Sequence, residues 1–164
     1  MKSGIAILTL AYVLSQFYRA FLAVLAPDLT ADLNVTPADL SRASGIWFLA
    51  FAAMQLPIGW ALDHVGPRRT AALLLGVAGG GGALLFAVAS AGWQIDLAMA
   101  LIGVGCAPVL MASYYIFART FRPAVFATLA GVLIGVGSLG NIAASVPLSW
   151  AAEIVGWRGA MTIL

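Results

Sequence analysis

Arg19 stands in a stretch that carries no other ionised side chain between Lys2 and Asp28. A charge held inside hydrocarbon is expensive, so an arginine in such a stretch is read first as a functional group. Its planar fork of donors matches phosphate, carboxylate or nitrate through paired hydrogen bonds. On a helix turning ~100° per residue, Tyr12, Gln16 and Arg19 share one face, with Ser15 beside them. A polar stripe of this kind faces a bundle interior or an aqueous cavity. Three readings of Arg19 stand together: contact with an anionic solute, a long side chain reaching the outer interface, and a charge neutralised by a carboxylate from a C-terminal half of the protein.

Other polar groups are placed to serve the same space. Ser138, Ser145 and Ser149 fall on a common helical face with Asn141 beside them, and Tyr114, Tyr115, Gln55 and Trp47 offer further donors. No carboxylate lies in the middle of an apolar run. Asp96 sits at the mouth of one run and Glu153 beyond the end of another, so this part of the protein leans towards uniport or exchange rather than proton coupling. Asp96 is read as an interfacial residue at a helix N-terminus, with proton carriage as the alternative. No nucleophile–base set, carboxylate pair or metal-ligating cluster appears, which argues against an enzyme and leaves no cofactor or metal to expect. The net charge of +2 is too small, and the basic residues too dispersed, for a nucleic-acid partner. The single cysteine, Cys106, reads as a small core residue and permits no disulfide within the chain.

The elements that hold these residues follow from the distribution of charge. Hydrophobic residues make up 63% of the chain and charged ones 9%, too little polar surface for a water-soluble domain of this length. No ionised side chain occurs over 43–62, 70–95, 97–118 or 123–152. Each run reaches the roughly 20 residues needed to cross ~30 Å of hydrocarbon. Unalternated runs of that length satisfy their backbone in lipid only as helices. The expected fold is all-α, a polytopic transmembrane bundle in one membrane domain over 1–164. Its spans are expected near 4–26, 44–62, 70–89, 95–118 and 125–151, with the start of a sixth at 159–164. The N-terminal stretch superficially resembles a secretory leader, but its apolar residues resume after Arg19, and an uncleaved first span is the better reading. Lys2, Arg68, Arg69, Arg119 and Arg122 lie on one side of the expected topology, and Arg42 and Arg158 on the other. That asymmetry places the N-terminus in the cytoplasm.

The loop Gly59-Trp-Ala-Leu-Asp63-His-Val-Gly66-Pro-Arg68-Arg69 resembles the signature of the major facilitator superfamily, G-x-x-x-D-(R/K)-x-G-(R/P)-(R/K)-(R/K), and lies between spans two and three, as it does in that family. The resemblance implies a conformational gating loop. Gly59 admits a neighbouring helix, Asp63 sits against a helix N-terminus of the opposite half and pairs with an arginine, Gly66 makes the turn, and Arg68 and Arg69 anchor the cytoplasmic face. His64 departs from the usual permanent cation. Gly156-Trp157-Arg158 resembles the turn that opens span six in many facilitators. Met99 stands where some subtypes carry a span-four arginine, before Gly103 and Gly105, which makes proton coupling through that position less expected. Gly131, Gly135, Gly137 and Gly140, with Pro147, are only loosely similar to the glycine-rich span five of some antiporters. Gly76 and Gly79 to Gly82 suit a peripheral third span packed closely on its neighbours. Tyr18-Arg19 with Pro27 is similar to span one of organophosphate and sugar-phosphate antiporters, where a span-one arginine contacts phosphate.

The family plan implies alternating access between two six-helix halves, built from inverted three-helix repeats, around a small polar solute near mid-membrane, and Arg19 points to an anionic one. Spans one, two, four and five line the cavity in that plan. The expected partners are the solute, the lipid bilayer of a plasma membrane of the bacterial inner-membrane type, and a missing C-terminal half or partner subunit. The alternative is a truncated protein that acts as a scaffold or assembly partner without transport.

Overall fold

Proline and glycine decide where the helices of this chain break. The computed structural model describes residues 2–162, which are helical with short connections and contain no strand. Helix α1 runs Lys2–Val24. Pro27 lacks an N–H and its ring collides with a preceding helical turn, so the chain bends at Leu25 and restarts as α2 (Ala26–Leu33). Asn34, at φ 53° in the left-handed region, stops α2. The polar segment between the first two expected spans is therefore largely helical, and it holds Asp28 and Asp32 on an ordered element.

Thr36 and Asp39 cap the next helix reciprocally. The Asp39 N–H donates to the Thr36 hydroxyl at 3.2 Å, and the Thr36 N–H donates to the Asp39 carboxylate at 2.9 Å. With Pro37 at the first position, α3 (Pro37–Ala53) opens well before Ser44, where the span was expected to begin. Helix α4 (Gln55–His64) continues it after a turn at Met54. Gly66, at φ 97°, reverses the chain into α5 (Pro67–Leu73), which passes through a π-helical stretch (Leu74–Gly79) into α6 (Gly80–Ala87). Helices α7 (Gly92–Thr120), α8 (Pro123–Ala143) and α9 (Val146–Thr162) follow, and α9 bends at Gly156, where φ is 75° and ψ 157°.

Among the described residues, five stretches are long and apolar enough to cross a membrane: Gly4–Val24, Pro37–His64, Pro67–Ala87, Gly92–Thr120 and Pro123–Thr162. Helix α7 is the axis of the bundle and packs against α3, α5, the π-helical stretch, α6 and α1. Glycines set these approaches. A Cβ on Gly105 would meet the backbone of Gly79, one on Gly103 the Trp47 carbonyl, and one on Gly82 the Ile102 and Ala98 backbone. The bare backbones let the helices approach closely where lipid provides no hydrophobic drive to bring them together. The principal core cluster joins Phe21 of α1, Phe86 of α6 and Trp157 of α9, with Phe21 and Phe86 ring centroids 4.9 Å apart and Phe86 and Trp157 5.8 Å apart. Cys106 is buried in this core.

Candidate functional site

The polar face of α1 is held by its packing on α8. A Cβ on Gly140 would run into the Val13 carbonyl, and one on Gly137 into the Tyr12 ring. Tyr12 is thereby buried, and its hydroxyl accepts a hydrogen bond from the Gln16 amide at 3.0 Å. Tyr114, on α7, packs into the same cluster as Tyr12, Phe117 and Leu133, its ring edge-on to Phe126 at 5.8 Å. Ser15 is buried on the α7 side of α1.

Arg19 is exposed, and its guanidinium carbon lies 5.5 Å from the Phe48 ring centroid. Among the described residues it forms no ion pair with a carboxylate. At 1.5 Å per residue, Arg19 lies about 6 Å beyond the midpoint between Lys2 and Asp28, and Phe48 about 8 Å inside the Ala43 end of its charge-free run. The cation therefore rests beside the apolar part of span two.

Asn141 is exposed one position after Gly140 and so flanks the contact between α8 and α1. Several neighbours named from sequence are already engaged. The Ser138 and Ser145 hydroxyls donate to the carbonyls of Gly135 at 2.5 Å and Ile142 at 2.6 Å, and the Gln55 amide donates to the Phe51 carbonyl at 3.1 Å. Trp47 is buried and stacked on Phe51, and its indole N–H has no partner among the described residues. The structure thus brings Tyr12, Gln16 and Tyr114 together, with Arg19 further along the same face of α1.

Tyr115 belongs elsewhere. One residue is a ~100° turn on a helix, and that turn carries it away from Tyr114 to the span-two side of α7. There its hydroxyl donates to Asp63 at 2.9 Å. Arg119, one helical turn on, lies 3.6 Å from the same carboxylate and 4.1 Å from the Tyr115 ring centroid. Asp63 is thus clasped by the end of span four. His64 stacks on Trp60 at 4.6 Å and donates from Nδ1 to the Trp60 carbonyl at 2.8 Å. The turn is closed by Gly66 and by the Thr70 hydroxyl, which donates to the Gly66 carbonyl at 2.9 Å. Arg68 and Arg69 are exposed. Beyond its own helical turn, no described atom lies within 4 Å of a Cβ built on Gly59, so its expected close approach is not to another described helix.

The opposite end carries its own charge network. Asp96 receives Arg42 at 2.9 Å, and Arg42 also reaches Asp39 at 3.0 Å. Asp32 accepts from the Trp157 indole at 2.9 Å and from Arg158 at 2.7 Å, and Arg158 also donates to the Ala89 carbonyl at 3.0 Å. Hydrogen bonds from Trp157 and Arg158, with the Arg158 charge, hold the Asp32 carboxyl below its usual range. This junction was missed in the sequence. Its visible signal was the Gly156-Trp157-Arg158 triplet, but nothing local linked it to an aspartate more than a hundred residues earlier.

The family model described as Major Facilitator Superfamily matches residues 8–164. No curated protein matches the chain. Five apolar helices of membrane-spanning length among the described residues, the Gly59–Arg69 loop joining spans two and three and clasped to the end of span four, and a family match over nearly all of its residues lead to one assignment: this chain belongs to the major facilitator superfamily, a family of secondary transporters that move small solutes across the lipid bilayer.

Proposed function

We propose that this chain forms the solute-handling bundle of a carrier for a small anion, working by alternating access with its N-terminus in the cytoplasm. The observation that carries the reading is Arg19. It lies inside an apolar span, has no carboxylate partner among the described residues, and its guanidinium carbon stands 5.5 Å from the Phe48 ring centroid. A cation in that position that is not neutralised within these helices is matched electrostatically by an anionic solute. Its place alongside the apolar part of span two counts against the reading in which the side chain merely reaches the interface.

Gln16, Tyr12, Tyr114 and Asn141 supply neutral donors and acceptors for the rest of the solute. Tyr115 acts with Asp63, Gly59, Gly66, Arg68 and Arg69 in the gating loop. Phosphate esters are the first solutes to try, from the likeness of span one to organophosphate antiporters. The absence of a mid-span carboxylate favours uniport or exchange in this bundle. A second set of helices, from the same polypeptide or a partner subunit, completes the cavity.

The test is counterflow in proteoliposomes holding the complete protein, with labelled phosphate esters, inorganic phosphate and small carboxylates presented in turn. Saturable exchange that depends on the protein supports the reading. Stable association with another membrane protein, with no uptake of any of these anions, would favour the scaffold alternative instead.

A further inference from the structure

The two ends of the bundle carry clasps made of the same three kinds of group, with the acid on the glycine turn in one and on the turn's partner in the other. At one end Asp63 accepts a hydrogen bond from an aromatic donor, the Tyr115 hydroxyl, at 2.9 Å. At the other Asp32 accepts from an aromatic donor, the Trp157 indole, also at 2.9 Å. In each, an arginine pairs with the same carboxylate, Arg119 at 3.6 Å and Arg158 at 2.7 Å. That arginine is also stacked on the same aromatic ring, at 4.1 Å and 4.2 Å.

The chain segments repeat as well. Asp63-His-Val-Gly66-Pro-Arg68 and Glu153-Ile-Val-Gly156-Trp-Arg158 place an acid three residues before a glycine, a valine one before it and an arginine two after it. Both glycines adopt the same rare backbone, φ 97° with ψ 150° and φ 75° with ψ 157°. They are the only glycines with positive φ among the described residues. Only glycine takes that conformation without strain, so the match marks equivalent turns. Their neighbours correspond too. The first turn is clasped to the end of span four, and the second to α2, which directly follows span one. That is the relation expected when two three-helix units repeat in opposite orientation in the membrane.

We infer that Asp32, Trp157 and Arg158 are positioning residues for transport, forming an outer clasp that is the inverted counterpart of the Asp63–Tyr115–Arg119 clasp. This rests on the alternating-access reading above. Each clasp fixes its turn in the shape that seals one face of the protein against the complementing helices. Loss of a clasp then disfavours the state in which its own face is closed, and the population moves towards opening on that side. The two clasps have opposite effects.

The experiment uses the complete protein in sealed vesicles of known sidedness, with Cys106→Ala to remove the native thiol and Ser138→Cys as reporter. Ser138 is exposed on α8 beside Gly137, level with Tyr12. Labelling by an impermeant thiol reagent is measured from each face, with and without inorganic phosphate. Trp157→Phe and Tyr115→Phe each keep the ring and delete a single donor. Trp157→Phe is expected to raise outer relative to inner labelling about three- to tenfold, the population change from losing one hydrogen bond. Tyr115→Phe is expected to change the ratio by a similar factor in the other direction, and the double variant to return towards the parent. Asp32→Glu, which keeps the acceptor, is expected to stay nearer the parent than Asp32→Ala. A purely structural role moves stability without a sided bias. Shifts of the same sign in both variants, or none, overturn the inference if the parent labels from both faces. A parent that labels from one face only, whatever the phosphate, overturns the transport reading and this inference together.

Discussion

Replacing Gly105 with alanine tests whether backbone contact between spans three and four organises the bundle. A Cβ at Gly105 would stand 2.5 Å from the Gly79 Cα and 3.0 Å from the Leu74 carbonyl oxygen. Ordinary contact begins at 3.4 Å, so α7 and the π-helical stretch must separate by about 1 Å. Both opposing groups are backbone, and no side-chain rotation relieves the overlap. Overpacking of this kind costs about 1–3 kcal/mol, which is roughly a 5- to 150-fold increase in the open population. Cys106 is adjacent and only 1% exposed, so a thiol-reactive fluorophore added to the purified protein reports that opening directly. Gly45→Ala is the control. It is exposed on α3 with nothing within 4 Å of the added carbon, and alanine favours a helix by up to about 1 kcal/mol. Gly105→Ala is expected to expose Cys106 faster, and at lower temperature, than either the parent or Gly45→Ala. Equal exposure in all three would refute the claim that the glycine contact sets the packing.

Three further outcomes follow from the same geometry. Gly137→Val forces the Tyr12 ring off α8 and breaks its hydrogen bond with Gln16, so anion affinity measured by calorimetry is expected to fall several-fold; unchanged affinity removes Tyr12 from the site. Thr36→Ala deletes the cap that starts α3 and is expected to destabilise the protein by about 1 kcal/mol in thermal unfolding. Asp32 has a depressed carboxyl pKa in the folded protein, so its clasp contributes fully above the ordinary carboxylate value of about 3.9 and is lost as pH falls through the lower folded value. The parent is expected to lose thermal stability below about pH 4, with a smaller loss in Asp32→Asn; identical acid profiles would count against the clasp.

The membrane-spanning helices were legible because charge is nearly absent from them, and a charge-free run of that length has only one common solution in lipid. Their ends were less legible. Helix α2 escaped because Asp28, Asp32 and Asn34 suggest a loop by composition, whereas its Leu29 is buried and Pro27 begins a new helix as readily as it ends an old one. The π-helical stretch lies where Gly79 meets Gly105, a contact between distant segments that no local pattern encodes. The face shared by Tyr12, Gln16 and Arg19 followed from helical spacing alone. Placing Tyr114 and Tyr115 against different neighbours required the rotation of α7 against its surroundings, which packing sets. The matched turns at Gly66 and Gly156 were written in the sequence at equal spacing, but their equivalence emerges only with the backbone angles and the partners each turn acquires.

Arg19 is the proposed anion contact. The most direct test titrates inorganic phosphate, a small phosphate ester, nitrate and acetate into the complete protein by calorimetry, comparing the parent with Arg19→Gln and Arg19→Lys. At least one of these anions is expected to bind the parent, Arg19→Gln to weaken it by about 10- to 100-fold, as loss of a charged hydrogen bond does, and Arg19→Lys to recover only part of the difference. An anion that binds Arg19→Gln as tightly as the parent would contradict that role for Arg19.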